Sequence, residues 1–507
     1  MALLVSWVRP LPRCPSSIEI GCSLIQKLLP TRRLAPFFPI VVVLLGIWSI
    51  VGARPLLGYS NNYDFIRQSA CMGLWPATVD PVTGGASANP QNNLVATRVL
   101  SSDLCFASID NIFPYFAMLG ASKGKHIDFR RVGFVKASFF LVFALITVLA
   151  GRSFFERFVV SVIWAFIFLD ISVLLYFNTL YNELSVVFGL VMLAVTGMLI
   201  GRGHRFSGLL LLGWVVGGVW LGLSKIQYAP LVIPLAAVLV LFAWRFRLGW
   251  RAYSSALLVA IMPFCLKLAN PSDYGIAHAV AYANITDTSL GAVLPAAKDK
   301  VAALKVLGLS PSCEKGIGGT WYTPGFSTNH PCPEVQRVSR LDLVKLFFHD
   351  PSTFFVPLIK GAGLSRPAHP VNLGISEVAG GQGATKLSLQ RAVSISSLWQ
   401  NLSGQAFTAL CLLSVLAACI GVVSMIRALK ENGPVPVSGS IAMYGGCYVA
   451  YGLVSSVFGD GYWEIQKHAL GISVGLSLFL LSVFLYSLSL IQKRAGRQLG
   501  AATDSIR

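Results

Sequence analysis

The stretch Ser60-Asn61-Asn62-Tyr63-Asp64-Phe65-Ile66-Arg67-Gln68 follows directly on the first long apolar run, residues 37–51. It sets an Asp, an Arg and side-chain amides where an apolar helix emerges into water, and ionisable groups at a membrane edge are costly to hold there without a purpose. On a helix Asp64 shares a face with Gln68 and nearly the same one with Arg67. A carboxylate so placed can take a proton from an attacking hydroxyl, and cations can hold a departing anion. Similar chemistry recurs in Tyr176-Phe177-Asn178-Thr179-Leu180-Tyr181-Asn182-Glu183, in Ser224-Lys225-Ile226-Gln227-Tyr228 and in Asp460-Gly461-Tyr462-Trp463-Glu464-Ile465-Gln466-Lys467-His468. Carboxylates, amides and cations alternating with aromatics suit a phosphorylated polar head on a lipid tail. Cations would hold the phosphate, and aromatics would stack on a sugar face or anchor at the interface. The plainer alternatives are a solvated turn at Asp64, an interfacial Lys and Tyr at 225–228, and an aromatic girdle with a surface ion pair at 460–468. Asp170, within an apolar run, suits a buried cation partner or a polar group facing the bundle interior.

The elements that must position these residues are membrane helices. Of 507 residues, 55% are hydrophobic and 12% charged, with a mean hydropathy of +0.68. That excludes an ordinary soluble chain. The formal charge of +19 does not point to nucleic acid, because the basic residues punctuate apolar runs. About ten spans are expected, at 35–51, 134–149, 158–176, 184–200, 206–223, 228–242, 253–268, 406–426, 441–458 and 470–491. With the N-terminal segment 1–34 in the cytoplasm (Arg9, Arg13, Lys27, Arg32, Arg33), the turns 152–157, 202–205, 245–251 and 427–430 are also cytoplasmic. So is the tail 492–507, with Lys493, Arg494, Arg497 and Arg507. All are short and basic, as the positive-inside rule requires. The span 35–51 reads as a retained anchor, not a cleaved signal.

Two long connections then lie outside: 52–133, within an N-terminal transmembrane module 35–268, and a domain-sized 269–405, before a C-terminal module 406–491. Residues 104–119, interrupted by Asp110, Asn111 and Pro114, read as an amphipathic or re-entrant helix on the outer surface. As an eleventh span they would reverse every downstream turn. Lys123, Lys125, His126, Arg130, Arg131 and Lys136 follow, as an anionic-lipid contact or a sign of a different span count. Residues 83–93 read as a flexible excursion, 294–309 as helical, 341–360 as one or two amphipathic helices laid on the membrane, and 361–385 as loop, mobile at 380–383. Cys71 and Cys105 share the first loop and Cys313 and Cys332 the second, which favours bridges within each loop over buried thiols. Cys411, Cys419 and Cys447 fall in spans as packing residues. No P-loop, dinucleotide fingerprint or zincin pattern occurs.

In three places the chain resembles GT-C membrane glycosyltransferases, and within them the bacterial glycan-biosynthesis hexose transferase group. These are Asn61-Asn62-Tyr63-Asp64-Phe65, then Tyr176 to Glu183 with Thr179 where the group has Ser, and Ser224-Lys225-Ile226-Gln227. The external segment from Tyr282-Ala283-Asn284 through Leu307-Gly308-Leu309 is similar too. The resemblance implies an all-α, GT-C-like bundle that moves a sugar from a polyprenyl-phosphate donor to a glycan or lipid-linked acceptor. It would act on the extracytoplasmic face of a bacterial inner membrane. It implies Asp64 as base and Glu183 as a second acidic position; richness in Cys and Gly across 313–332 departs from the group. Arg67, Lys225, Gln227, Lys467 and His468 are the expected contacts to the donor phosphate. Asn61, Asn62, Tyr63, Asn178, Tyr181, Asp460, Tyr462, Trp463 and Glu464 are the expected contacts to sugar or acceptor. No cofactor or metal is required, although Mg²⁺ or Mn²⁺ could join Asp64 and Glu183 to the phosphate. Three rivals stand beside this reading, one of them a scaffold subunit with no catalysis. A flippase of lipid-linked saccharide should need polar residues through the bundle centre. A polymerase or ligase would use a pyrophosphate-linked donor. Neither the sugar nor the oligomeric state follows from the sequence.

Overall fold

A computed structural model describes residues 34–60, 63–77, 89–97, 100, 103–203, 207–270, 275–371, 373–377 and 394–504. Asn61 and Asn62, the basic residues before position 34, Arg205, Arg507 and residues 83–88 and 378–385 lie outside these, as do the side chains of Tyr63 and Arg497.

The chain is a multi-pass helical membrane protein. Each of the ten expected spans coincides with helix: α1 (Phe38–Val51), α3 (Arg130–Ala150), α4 (Phe154–Phe168), α5 (Glu183–Gly201), α6 (Ser207–Ser224), α7 (Val232–Phe246), α8 (Trp250–Ala269), α9 (Gly404–Lys430), α10 (Val437–Asp460) and α11 (Leu470–Asp504). Among the described residues seven helices are long and apolar enough to cross a bilayer, and an eighth counts if α4 and the bent piece after it form one span. Ala35–Val51 and Gly208–Ser224 are apolar but shorter, so the expectation of ten is reduced to seven or eight by length.

The span expected at 158–176 is broken, with Ile171–Asn178 turned by 74° from α4. Asp170 is the cause. Its carboxylate caps the next turn by accepting from the Ser172 N–H, and it also accepts from the Ser172 hydroxyl and the Ser396 N–H. An Asp competes well for an N-cap and poorly for a helix interior.

The all-α bundle carries one small sheet besides. In the first long loop, β1 (Leu74–Pro76), β2 (Asn93–Ala96) and β3 (His126–Asp128) form an antiparallel sheet in that order. Residues 104–119 do not cross the membrane: Ile109–Asn111 is a 3₁₀ turn and Ile112–Ala117 a six-residue helix. Phe113 and Ala117 face the core while Tyr115 and Phe116 are exposed, as an amphipathic surface helix requires. The basic run after it is not one patch. Arg130 pairs with Asp128 at 2.6 Å, and Lys136 is buried in α3, donating to the Tyr176 and Thr179 carbonyls. In the second loop 294–309 resolves into Leu294–Ala296 and Lys300–Val306, and 341–360 into the helices Arg340–His349 and Ser352–Leu364.

Every residue of α5 is buried, so the bundle is built around it and its first residue, Glu183, is held at one end. On the far side α10 and α11 touch backbone to backbone. A Cβ on Gly445 would come within 2.8 Å of the Gly475 carbonyl oxygen, and one on Gly475 within 2.5 Å of that of Gly445. Small residues permit this approach. The short basic turns meet at one end of the bundle. Arg202 pairs with Glu156 at 3.3 Å, the Val435 N–H donates to the Gly201 carbonyl, and Arg245 donates to that of Leu429. The two long loops gather at the other.

Candidate functional site

Asp64 lies in the first turn of helix α2 (Tyr63–Met72), where a carboxylate is favoured by the helix dipole. The helix is seated by Phe65, which packs against Phe129 and Tyr181, and by the Cys71–Cys105 disulfide. One turn on, Arg67 binds the Asp64 Oδ1 at 2.6 Å. Gln68 turns away to donate to the Phe106 carbonyl. Lys467 arrives on the other oxygen: its ammonium donates to Asp64 Oδ2 and lies 3.3 Å from Glu464 Oε2, over the Tyr181 ring. Tyr181 in turn donates its hydroxyl to the Ser60 carbonyl. Residues from both ends of the chain therefore meet at one carboxylate.

A second chain of polar contacts runs alongside. Glu183 Oε1 binds Lys225 Nζ at 2.7 Å, and Lys225 Nζ lies 3.1 Å from His468 Nδ1. His468 Nε2 is 2.8 Å from Asp460 Oδ2, and the Asn284 amide, oriented to donate, reaches Asp460 Oδ1 at 2.6 Å. An ammonium only donates, so His468 Nδ1 accepts and Nε2 carries the proton toward Asp460.

Burial pushes the Asp64 carboxyl up, but Lys467, Arg67 and Lys225 outweigh it and hold it well below the usual carboxylate range. Burial pushes Lys467 down, and Asp64 and Glu464 more than reverse this, so its ammonium is held well above its ordinary value. Lys467, with Asp64, lowers or lifts Glu464 in opposite senses; the nearer cation prevails and the carboxyl is depressed. The four carboxylates Asp64, Glu183, Asp460 and Glu464 face three cations, Arg67, Lys225 and Lys467. The side chain of Lys467 is only 2% exposed, whereas those of Arg67 and Lys225 are 22% and 16% exposed. The Arg67 Nε is buried and has no hydrogen-bond partner among the described residues.

The structure thus brings together Asp64, Arg67, Tyr181, Glu183, Lys225, Asp460, Glu464, Lys467 and His468. Three other expected contacts serve the scaffold. Asn178 is fully buried and donates to the Ile50 and Leu57 carbonyls. Gln227 donates to Ser456 of α10. Tyr462 reaches the Pro357 carbonyl and lies under Lys360. Trp463 is stacked on Tyr322, with ring centroids 4.2 Å apart. Tyr322, Asn284 and Asp287 are not among the expected site residues, although Asn284 and Asp287 lie within the resembling segment 282–309. The second disulfide, Cys313–Cys332, closes the segment that carries Tyr322. Among the described residues no three His, Cys, Asp or Glu side chains are grouped to hold a metal ion. Asp64 and Glu183 each bind a cationic side chain instead.

The family model described as YfdI N-terminal transmembrane domain matches residues 31–498. No curated protein matches the chain. Among solved structures it is similar to the archaeal oligosaccharyltransferase AglB from Archaeoglobus fulgidus, in complex with an inhibitory peptide and a dolichol-phosphate. The identity is 14% and the TM-score 0.36, over 92% of this chain and 52% of that one, so the chain spans about half the length of that protein.

Proposed function

The chain belongs to the YfdI N-terminal transmembrane domain family, and from that premise we propose that it is a membrane glycosyltransferase. It moves a sugar from a polyprenyl-phosphate donor to a glycan or lipid-linked acceptor on the extracytoplasmic side. The observation that carries this reading is a carboxylate, Asp64, kept ionised at the loop end of the bundle among cations that can take over a phosphate.

The acceptor hydroxyl attacks the anomeric carbon on the face opposite the phosphate. The new C–O bond forms as the bond to the phosphate oxygen breaks, and the configuration inverts. Asp64 receives the hydroxyl proton, and the bonding pair leaves on a phosphate that is already ionised and needs no acid. Arg67 and Lys225 are the cations for that phosphate, being the more exposed pair, and the orphan Arg67 Nε–H adds a donor. Lys467 and His468 stand behind them, holding Asp64 and Lys225 in place. In the resting site Asp64 is a weak base. A phosphate that draws Arg67 and Lys225 toward itself strips two of its three stabilising charges, and the carboxylate becomes more basic as the substrate binds. Glu183 orients Lys225.

The test is transfer from labelled polyprenyl-phosphate sugars by the purified chain. Asp64→Asn should abolish turnover, with a loss of at least about 10²-fold, while the same donors still raise its melting temperature. Undiminished turnover would sink the assignment.

A further inference from the structure

We propose that Tyr322 and Trp463, edged by Asp287 and Asp460, form a saccharide subsite that takes a neutral hexose unit of the acceptor. The proposal rests on the glycosyl-transfer reading above and adds to it the ligand class of a surface supplied by the second long loop.

Tyr322 and Trp463 stack at 4.2 Å with 15° between their planes, although Tyr322 belongs to the second long loop and Trp463 to the turn between α10 and α11. Both remain open to solvent, at 47% and 41%. A pair of large rings kept parallel and half exposed contributes less to a core than to a flat, rigid face on which the apolar side of a pyranose can lie. The amphipathic ring pair, apolar in body and polar at its rim, is what recognition surfaces use.

Asp287 provides a second, independent observation. It is fully buried and opens a seven-residue π-helical segment, Asp287–Val293, and π turns inside helices gather at functional sites. Its Oδ1 accepts from the Trp321 N–H, next to Tyr322, while its Oδ2 has no hydrogen-bond partner among the described residues. A buried carboxyl oxygen left unmatched calls for an explanation, and a ligand hydroxyl is one that fits a carboxyl. Gly461, at φ 65°, brings the 460–468 turn so close that a Cβ there would lie 2.5 Å from the Asp287 carbonyl oxygen. Asp287 and Asp460 are thus near enough to repel one another, and the Tyr322 hydroxyl feels Asp460, Glu464, Asp287 and Arg67.

Two consequences follow from these neighbours. Asp460, Glu464 and Asp287 act on the Tyr322 hydroxyl against Arg67, and Arg340, a further cation near Asp460, is held away on the Phe458 and Gly459 carbonyls. An acidic sugar would be repelled, so the unit taken is neutral. The platform also adjoins the reacting carboxylate. Trp463 precedes Glu464, which shares Lys467 with Asp64, and Tyr322 lies within the field of Arg67. A hexose on the rings presents a hydroxyl toward Asp64.

The test uses the full chain in lipid nanodiscs, without donor, and titrates maltotriose, methyl β-glucoside and methyl β-glucuronide by saturation-transfer NMR. The neutral probes should bind and the glucuronide should bind more weakly. Tyr322→Phe should keep the affinity, Tyr322→Ala should lower it by about ten-fold, equivalent to one lost ring stack, and Asp287→Ala should lower it several-fold. Tyr322 is half exposed, so an unchanged melting temperature for Tyr322→Ala checks that the fold survives. Absence of neutral-saccharide binding to the wild type, equal binding by Tyr322→Ala, or equal affinity for the glucuronide overturns the proposal. Saccharide binding without any transfer by the wild type would defeat the transfer reading and leave the subsite standing. Transfer without saccharide binding would do the reverse.

Discussion

At the level of single residues the site is a set of buried charges, and their partners decide both stability and pH response. Lys467 has an almost fully buried ammonium bound to two carboxylates. Truncating one member of such a set leaves the others uncompensated, which typically costs about 3–5 kcal/mol. Lys467→Ala should therefore lower the melting temperature sharply, whereas Arg67→Ala, at a more exposed pair, should change it little; calorimetry separates the two. The two buried acids respond to pH in opposite ways. Asp64, with a depressed folded pKa, contributes stability that is present above its unfolded value and lost only as pH falls through the folded one. Burial, opposed by the Trp321 N–H and reinforced by Asp460, pushes Asp287 up to about 7. Between an unfolded value of about 4 and that figure, the native state binds more protons than the unfolded chain, so stability falls as pH rises. Asp287→Asn should flatten this slope, and melting curves at intervals from pH 4 to 8, wild type minus variant, should expose it. Asp64, Lys225 and Lys467 could be picked from the sequence because each breaks an otherwise apolar or aromatic context. Asp287 and Tyr322 could not, since they sit in a loop of mixed composition and gain meaning only from their neighbours in space. Asn178 and Tyr462 looked equally functional, but their partners are backbone carbonyls of the scaffold.

At the level of elements, hydropathy finds helices well and their interruptions badly. Residues 158–176 carry no charged side chain but Asp170, and the helix stops there because an N-cap satisfies that carboxylate better than an intact helix would. The three short strands of the first loop, at three or four residues each, are below the length at which alternation can be read. Cysteine parity was more informative, since both expected pairs are joined. The Cys313–Cys332 bridge spans 19 residues of sequence and encloses Trp321 and Tyr322. Closing a loop of that length removes unfolded-state entropy worth about 3 kcal/mol. The Cys313→Ser/Cys332→Ser variant should lose stability of that order, and its KM for acceptor should rise several-fold while donor-induced stabilisation is retained. A rise in KM for donor instead would mean that the second loop holds the other substrate.

Across the whole molecule, the two ends of the bundle divide charge by purpose. Basic turns tie one another together at one end through Glu156–Arg202, Gly201–Val435 and Arg245–Leu429. Cations bound to carboxylates fill the other end, beneath the long loops. By the positive-inside rule we propose that the first end faces the cytoplasm, and disulfides in both long loops suit an oxidising compartment on the opposite side. The surface between the ends fits that orientation: Leu412, Leu416, Ile420 and Val423 of α9 are exposed, and their natural solvent is lipid. The same apolar exposure continues onto Leu341 and Phe348 of the external hairpin, while Lys345 stays open to water. Cysteines introduced at Lys345 and Arg427, both more than two-thirds exposed, distinguish the two sides directly. A membrane-impermeant maleimide applied to intact cells should label Lys345→Cys and spare Arg427→Cys until the membrane is opened. Native Cys265 and Cys419 are exposed only on apolar helices, where lipid shields them from a charged reagent. The reverse pattern would put Asp64 on the cytoplasmic side, beside soluble sugar donors, and would remove the need for a lipid-linked one.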